Sequence, residues 1–225
     1  MSGPEPIRGI YFDLWNTLAW TETSPNPIVA LASAFGFHDE PGWREMIERA
    51  MMTRRMTGIS EAIDAIAELT GRPPVSGPAR RELILTWGRA GNRNRLYPDA
   101  LPALAALRRH RAQRPLRLGI LSNTQSFDLD FLRREGIEAS LDTICLSCDC
   151  GLLKPDPGIY RHAAARMGLP PEQMLMVGDS PRDDVGGARE AGWRALLLDR
   201  TAPAALPGTI RGLMEIPPLL TTSFS

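Results

Sequence analysis

Apolar residues gather along this chain in five short, nearly continuous runs, at residues 7–12, 117–121, 142–146, 174–177 and 194–198. Runs of that length with little polar alternation are the pattern of strands covered on both faces. Between the later runs the apolar spacing widens to three and four residues, which predicts helices over 100–111, 127–134, 158–167 and 184–191. Gly136, Gly168 and Gly192 follow three of these stretches, at the place where glycine ends many helices. Strand and helix in alternation predict an α/β fold, a doubly wound, Rossmann-like core with a parallel sheet.

The alternation breaks once. From Trp20 to Leu96 no strand pattern is evident, and Ile59, Ala62, Ile63, Ile66 and Ala67 recur at helical spacing. Loops interrupt this region at Gly71-Arg72-Pro73-Pro74 and at Ser76-Gly77-Pro78. The expectation is an all-helical domain, residues 20–96, inserted after the first strand of a core made of residues 1–19 and 97–225. Because the insert begins just beyond the first strand end, it is placed to cover that end as a cap. The plainer alternative is a helical layer packed on the sheet with no lid role. The final stretch, rich in Pro, Leu and Thr, is expected to pack loosely.

Composition narrows the class without changing it. Hydrophobic residues make up 43% and charged residues 23%, ordinary values for a soluble globular protein. Lysine plus arginine equals aspartate plus glutamate at 26 each, so no net positive charge supports nucleic-acid binding. The basic clusters Arg54-Arg55, Arg80-Arg81 and Arg108-Arg109-His110-Arg111 fall on helical stretches and read as solvated faces. No apolar run approaches the ~20 residues needed to span a bilayer. No charged-then-apolar leader opens the chain, so a cytoplasmic location without membrane contact is expected. Cys145, Cys148 and Cys150 are odd in number and crowded, unlike a disulfide framework. No second cysteine cluster completes a zinc tetrahedron, so they read as small apolar thiols at a strand end.

The chemistry sits in four polar clusters at four predicted strand ends, the edge where open α/β sheets place their ligands. The first is Asp13-Leu14-Trp15-Asn16-Thr17, a carboxylate leaving an apolar strand into a turn, poised as a nucleophile. The second, Ser122-Asn123-Thr124, offers a hydroxyl and an amide to phosphate oxygens. The third is Lys154-Pro155-Asp156-Pro157, a lysine just before a proline-started helix. The fourth, Gly178-Asp179-Ser180-Pro181-Arg182-Asp183-Asp184, puts carboxylates at a strand end and into the next helix start.

In order and spacing, these clusters resemble the haloacid dehalogenase-like hydrolase superfamily, in the branch with a helical cap after the first core strand. Asp13 to Thr17 match its first motif, Ser122 with Asn123 its second, Lys154 its third, and Gly178, Asp179, Ser180 and Asp184 its fourth. The resemblance implies a hydrolase in which Asp13 attacks the phosphorus of a small phosphorylated substrate and forms an aspartyl-phosphate. It implies that Ser122, Asn123 and Lys154 bind the phosphoryl oxygens. Mg2+ is implied as cofactor, with oxygen ligands from Asp13, the main-chain carbonyl of Trp15 and Asp179, while Asp184 supports the metal or Lys154 from behind. Charge arithmetic points the same way, since two carboxylates 4 Å apart repel by about 4 kcal/mol at an effective dielectric near ~20. Asp183 lies off the motif and is expected to face solvent.

One residue departs from the pattern. The first motif carries a second aspartate where this chain has Trp15, and in the family that carboxylate protonates the leaving oxygen and activates water. Indole offers an N–H donor and no titratable proton near neutrality. Three readings follow: a phosphatase whose acid–base group comes from elsewhere, such as a cap residue, or whose substrate has a good leaving group; a 2-haloacid dehalogenase, since halide departs unprotonated; or a binding or regulatory module with little turnover. His110 and His162 are expected to face away from the strand ends. His38, beside Asp39 and Glu40, is the histidine placed to serve as a surrogate acid or base. Trp20, Trp43, Trp87 and Arg54-Arg55 are candidates for lining a cap pocket, though such spacing more often means packing and surface.

Overall fold

A computed structural model of the chain describes residues 5–24, 26–37, 39–110, 115–203 and 206–220. The predicted strands are β1 (Gly9–Phe12), β4 (Arg117–Ser122), β5 (Thr143–Leu146), β6 (Met174–Gly178) and β7 (Arg194–Leu198), joined by a two-residue β8 (Thr209–Ile210). They form one parallel sheet in the order β5-β4-β1-β6-β7-β8. Chain order reverses around β1, so the strand carrying Asp13 lies at the centre of the sheet.

Burial on both faces explains the apolar runs. Ile10 and Phe12 of β1, Leu118 and Ile120 of β4, and Leu175 and Val177 of β6 point into one cluster with α5 (Ala100–His110). Tyr11, Leu121, Met174 and Met176, alternating with them, face α8 (Pro157–Met167) instead. Each fully buried side chain of this size contributes roughly 1.5–3 kcal/mol. Asp156 caps α8 by accepting from the Gly158 N–H at 2.6 Å, Pro157 supplies its first turn, and Gly168 ends it at φ 64°.

Among the described residues, the region between β1 and α5 holds four helices, α1 (Pro27–Phe35), α2 (Trp43–Met52), α3 (Ile59–Thr70) and α4 (Gly77–Gly91). Their apolar faces make a cluster of their own, joined from the core by Phe127, whose ring lies 5.7 Å from that of Trp87. The sequence missed two strands here. β2 (Ala19–Thr21) and β3 (Asn94–Leu96) pair antiparallel where the chain leaves and re-enters the core. Three residues are too few to show a period, and the partner lies more than seventy positions away. Beyond β3, among the described residues, α5 is followed by the short helices α6 (Phe131–Arg134) and α7 (Ser147–Cys150), then by α8 and α9 (Gly187–Glu190).

Three further expectations are corrected. Residues 127–130 are not helical, because Asp128 takes a left-handed φ of 61° and delays the helix to Phe131. The helix expected over 184–191 starts earlier, as a π-helical turn Pro181–Gly186 that runs into α9. The C-terminal stretch packs firmly as far as it is described: Leu213 and Ile216 are fully buried, the latter in α10 (Ile216–Leu219) against α5. Among the described residues no helix is long and apolar enough to cross a membrane.

Candidate active site

The sheet ladder runs one residue into the site. Phe12 is in register with Val177, and the Asp13 N–H donates to the Val177 carbonyl at 2.9 Å. Neighbouring parallel strands lie about 4.8 Å apart, so Asp13 meets the loop that leaves β6 almost directly. One carboxylate oxygen from each of Asp13, Asp179 and Asp184 lies within 4.8 Å of the others. Gly178 makes this approach possible: a Cβ there would stand 2.1 Å from the Asp184 Oδ2. Any side chain at this position displaces Asp184.

Lys154 holds the cluster together. Its Nζ donates to Asp13 Oδ1 at 2.7 Å and to Asp184 Oδ1 at 2.5 Å, with all three side chains buried. Asp184 is held at its other oxygen too, since Oδ2 accepts the Ser180 N–H at 2.9 Å. Burial pushes the Asp13 carboxyl up to about 7; Lys154 opposes the shift, and the nearby Asp184 and Asp179 add to it. Burial alone would lower the Lys154 ammonium, but the Asp13 and Asp184 carboxylates outweigh it and keep the lysine protonated. Burial and the Asp184 charge also raise Asp179, partly offset by a hydrogen bond from Asn16. Asn16 reaches Asp179 from a left-handed φ of 59°, a conformation asparagine tolerates better than most residues. One ammonium among three carboxylates leaves an excess of negative charge in a buried space. This hard oxygen-donor set fits a small divalent cation.

Ser122 and Asn123 separate on inspection. The Ser122 hydroxyl is fully buried and, among the described residues, has no hydrogen-bond partner; the same holds for the Thr17 hydroxyl. A buried hydroxyl without a partner costs about 1–3 kcal/mol, which an oxygen-rich ligand offsets. The Asn123 side chain meets the Lys154 main chain, accepting from its N–H at 2.7 Å and donating to its carbonyl at 3.0 Å. Asn123 thus clamps the lysine loop and also lines the cavity.

Trp15 is half-buried, with its ring 5.7 Å from that of Phe131 and its indole N–H donated to Thr124 Oγ1 at 3.0 Å. That hydroxyl in turn donates to Gln125 Oε1 at 3.3 Å, so the indole N–H belongs to a structural chain. Asp183, expected in solvent, is half-buried at the site instead. The π-helical turn holds one more residue per turn than the ordinary helix, and both Asp183 and Asp184 come to face the site there.

A cavity of about 390 Å³ separates the strand ends from the helices. Asp13, Trp15, Lys154 and Asp179 form its floor, and Trp20, Arg44, Glu48 and Trp87 are among its other walls. Of the tryptophans expected there Trp20 and Trp87 line it, whereas Trp43 lines a neighbouring cleft. Arg55 lies outside, paired with Asp149 at 2.8 Å. His162 is exposed on α8, and His38 lies outside the described residues. Cys145 and Cys148 are buried in the two core clusters, and Cys145 Sγ contacts the Tyr11 hydroxyl at 3.3 Å.

Sequence reasoning did not find the strut beneath the nucleophile loop. Arg200 donates to both oxygens of Asp99 at 2.9 and 3.0 Å, to the Thr17 carbonyl at 2.9 Å, and stacks 3.9 Å over Tyr97. No local pattern marks two residues 101 positions apart. Glu48 was missed for a related reason, since a glutamate on an amphipathic helix looks like any solvated charge.

A central strand in a doubly wound sheet, ending in a buried lysine–carboxylate cluster, defines an α/β enzyme with an acidic centre. Residues 7–192 match the haloacid dehalogenase-like hydrolases, and the chain belongs to that family. A phosphoserine phosphatase of Thermus thermophilus is 37% identical over 138 residues, covering 61% of this chain and 52% of that protein. The match thus spans about half the length of that relative. A phosphoglycolate phosphatase of Escherichia coli O157:H7 is 28% identical over 211 residues, 85% of this chain and 81% of the other. A 2-haloacid dehalogenase structure from Pseudomonas syringae pv. Tomato DC3000 superposes with a TM-score of 0.61 at 23% identity, over 96% of this chain and 98% of that one. At that identity the likeness speaks for the fold alone.

Proposed function

We propose that this protein is a magnesium-dependent phosphatase of small phosphate esters that works through an aspartyl-phosphate on Asp13. The observation that carries the reading is the buried cluster in which Lys154 bridges Asp13 and Asp184 while Asp179 adds a further carboxylate. Asp13 forms the new bond to phosphorus as the ester oxygen leaves, and water then cleaves the acyl phosphate to return the carboxylate. Lys154 and the Ser122 hydroxyl hold phosphoryl oxygens, Asn123 positions Lys154, and Asp184 fixes the ammonium in place. Asp13, Asp179 and the Trp15 main-chain carbonyl would hold Mg2+, which supplies the positive charge that lets a phosphate dianion approach a carboxylate. The helical segment, residues 20–96, acts in this reading as a cap over a core of residues 1–19 and 97–225. The phosphatase names of the two sequence relatives support the substrate class. A reducing cytoplasmic setting accords with the three free thiols.

A dehalogenase reading draws on Trp15, since halide needs no acid to leave. The excess of buried carboxylates weighs against it, because displacement of halide from carbon gives no reason to gather Asp179 and Asp184 around the nucleophile. The test is turnover of a phosphate-ester panel with and without Mg2+. Asp13→Asn should abolish turnover, by on the order of 10⁴-fold or more, while circular dichroism and melting stay native. Asp179→Asn should remove the Mg2+-induced rise in melting temperature. Halide release from a 2-haloacid without Mg2+, together with inert phosphate esters, would replace this reading with the dehalogenase one.

A further inference from the structure

Resting on the phosphatase reading, a second question is which group moves the proton that Trp15 cannot. Six carboxylates line the cavity. Asp13, Asp179 and Asp184 form the cluster around Lys154. Asp183 is held by the Ser180 hydroxyl and lies 4.0 Å from Arg182 Nε. Asp128 is held by the Trp87 indole N–H, which it accepts, and rests against Gly91. Glu48, on α2, is left. Among the described residues no hydrogen bond or ion pair fixes its carboxylate, and it lines the same cavity as Asp13, Trp15 and Lys154.

We infer that Glu48 is the acid–base residue of this enzyme, reaching the leaving oxygen from the helical side in place of the aspartate that Trp15 supplants. In the first step Glu48 gives its proton to the ester oxygen as the O–P bond breaks and Asp13 bonds to phosphorus. The resulting Glu48 carboxylate then takes a proton from water, whose oxygen attacks phosphorus, breaks the Asp13 O–P bond and releases phosphate. Protons and bonds balance over the cycle, and Glu48 ends as it began.

The electrostatic setting suits the role. Burial raises the Glu48 carboxyl above its ordinary range, so a protonated fraction persists closer to neutrality. The charges that act on it are Arg44 and Glu45 of its own helix, with Lys154 and Asp183 from the strand ends; the two cations lower it and the two acids raise it. Arg44 also stacks on Trp43 at 5.1 Å, and among the described residues it forms no ion pair with Glu48.

The test uses the full chain, Mg2+ and two substrates, p-nitrophenyl phosphate and a simple alkyl phosphate, under rapid mixing. Nitrophenolate leaves without a proton, so Glu48→Gln should give a burst stoichiometric with enzyme. Steady turnover should then be slower by at least ~10²-fold, with phosphate retained on Asp13 in acid-quenched mass spectra. The alkyl phosphate should show no burst, because its first step needs the acid. Unaltered turnover by Glu48→Gln beside an inert Asp13→Asn would overturn the assignment and leave the phosphatase reading standing. A burst from Asp128→Asn in place of Glu48→Gln would overturn it equally. Absence of phosphate-ester hydrolysis by the unmodified protein would remove both together.

Discussion

At the strand ends, polar side chains are fixed by one another: Lys154 by two carboxylates, its loop by Asn123, Asp184 by Ser180. Across the same cavity, the helices present Arg44 stacked on a neighbouring ring and Glu48 with no fixed partner among the described residues. The two walls differ because they meet different demands. In the proposed mechanism a nucleophile and its ammonium must be set to within a fraction of an ångström, and strand ends with hydrogen-bonded loops provide that rigidity. Groups that read a leaving alcohol and pass a proton to it must stay adjustable and titratable. Several ties join the two sides at their edges; among them, Ser126 Oγ exchanges hydrogen bonds with the Met56 backbone at 2.7 and 2.8 Å, and Arg182 pairs with Glu45.

The rigidity of the lower wall can be broken without touching a charge. Gly178→Ala sets a Cβ against the Asp184 carboxylate, which must move and carry Lys154 with it. We expect kcat to fall by about 10²-fold, the scale of an ångström-sized misplacement, while the variant still folds. Full activity in Gly178→Ala would mean that Asp184 does not position the lysine.

Trp15 separates packing from chemistry. Trp15→Ala removes the ring beside Phe131 and the donor to Thr124, and should cost about 2–3 kcal/mol in urea unfolding, below the ~3–5 kcal/mol of a fully buried aromatic because the ring is half-exposed. Placed in the Glu48→Gln background, Trp15→Asp should return roughly 10-fold of the lost alkyl-phosphate turnover, a fraction of full acid–base assistance. No recovery beyond that of Trp15→Ala in the same background would show that the position no longer reaches the leaving oxygen.

The smallest effect belongs to the strut under the nucleophile loop. Burial raises the Asp99 carboxyl, but hydrogen bonds from Arg200 and the Leu213 N–H outweigh it and hold the group below the usual carboxylate range. A depressed folded-state pKa gives stability that is complete above the unfolded value near ~4 and lost as pH falls through the lower folded one. Asp99→Asn should therefore cost about 1–2 kcal/mol at neutral pH, and the gap to the unmodified protein should narrow below pH ~4. A gap unchanged between neutral pH and pH ~3 in urea unfolding would contradict this account.

Much of the core was determined by sequence alone. The strands are nearly continuous apolar runs because both faces are buried, and that burial leaves a mark at each position. Asp13, Lys154, Asp179 and Asp184 were legible because each follows a run that ends in polar residues, in an order that resembles one family. Tertiary structure decided the rest, and the reason is distance along the chain. Pairing of β2 with β3, the Asp99–Arg200 strut and the clamp of Asn123 on Lys154 join residues with no shared period. Ser122 reads the same in sequence whether its hydroxyl is bonded or orphaned, and only packing left it without a partner. Glu48 carries no local sign of its place, because a glutamate on a helix faces solvent or a cavity according to what folds over it.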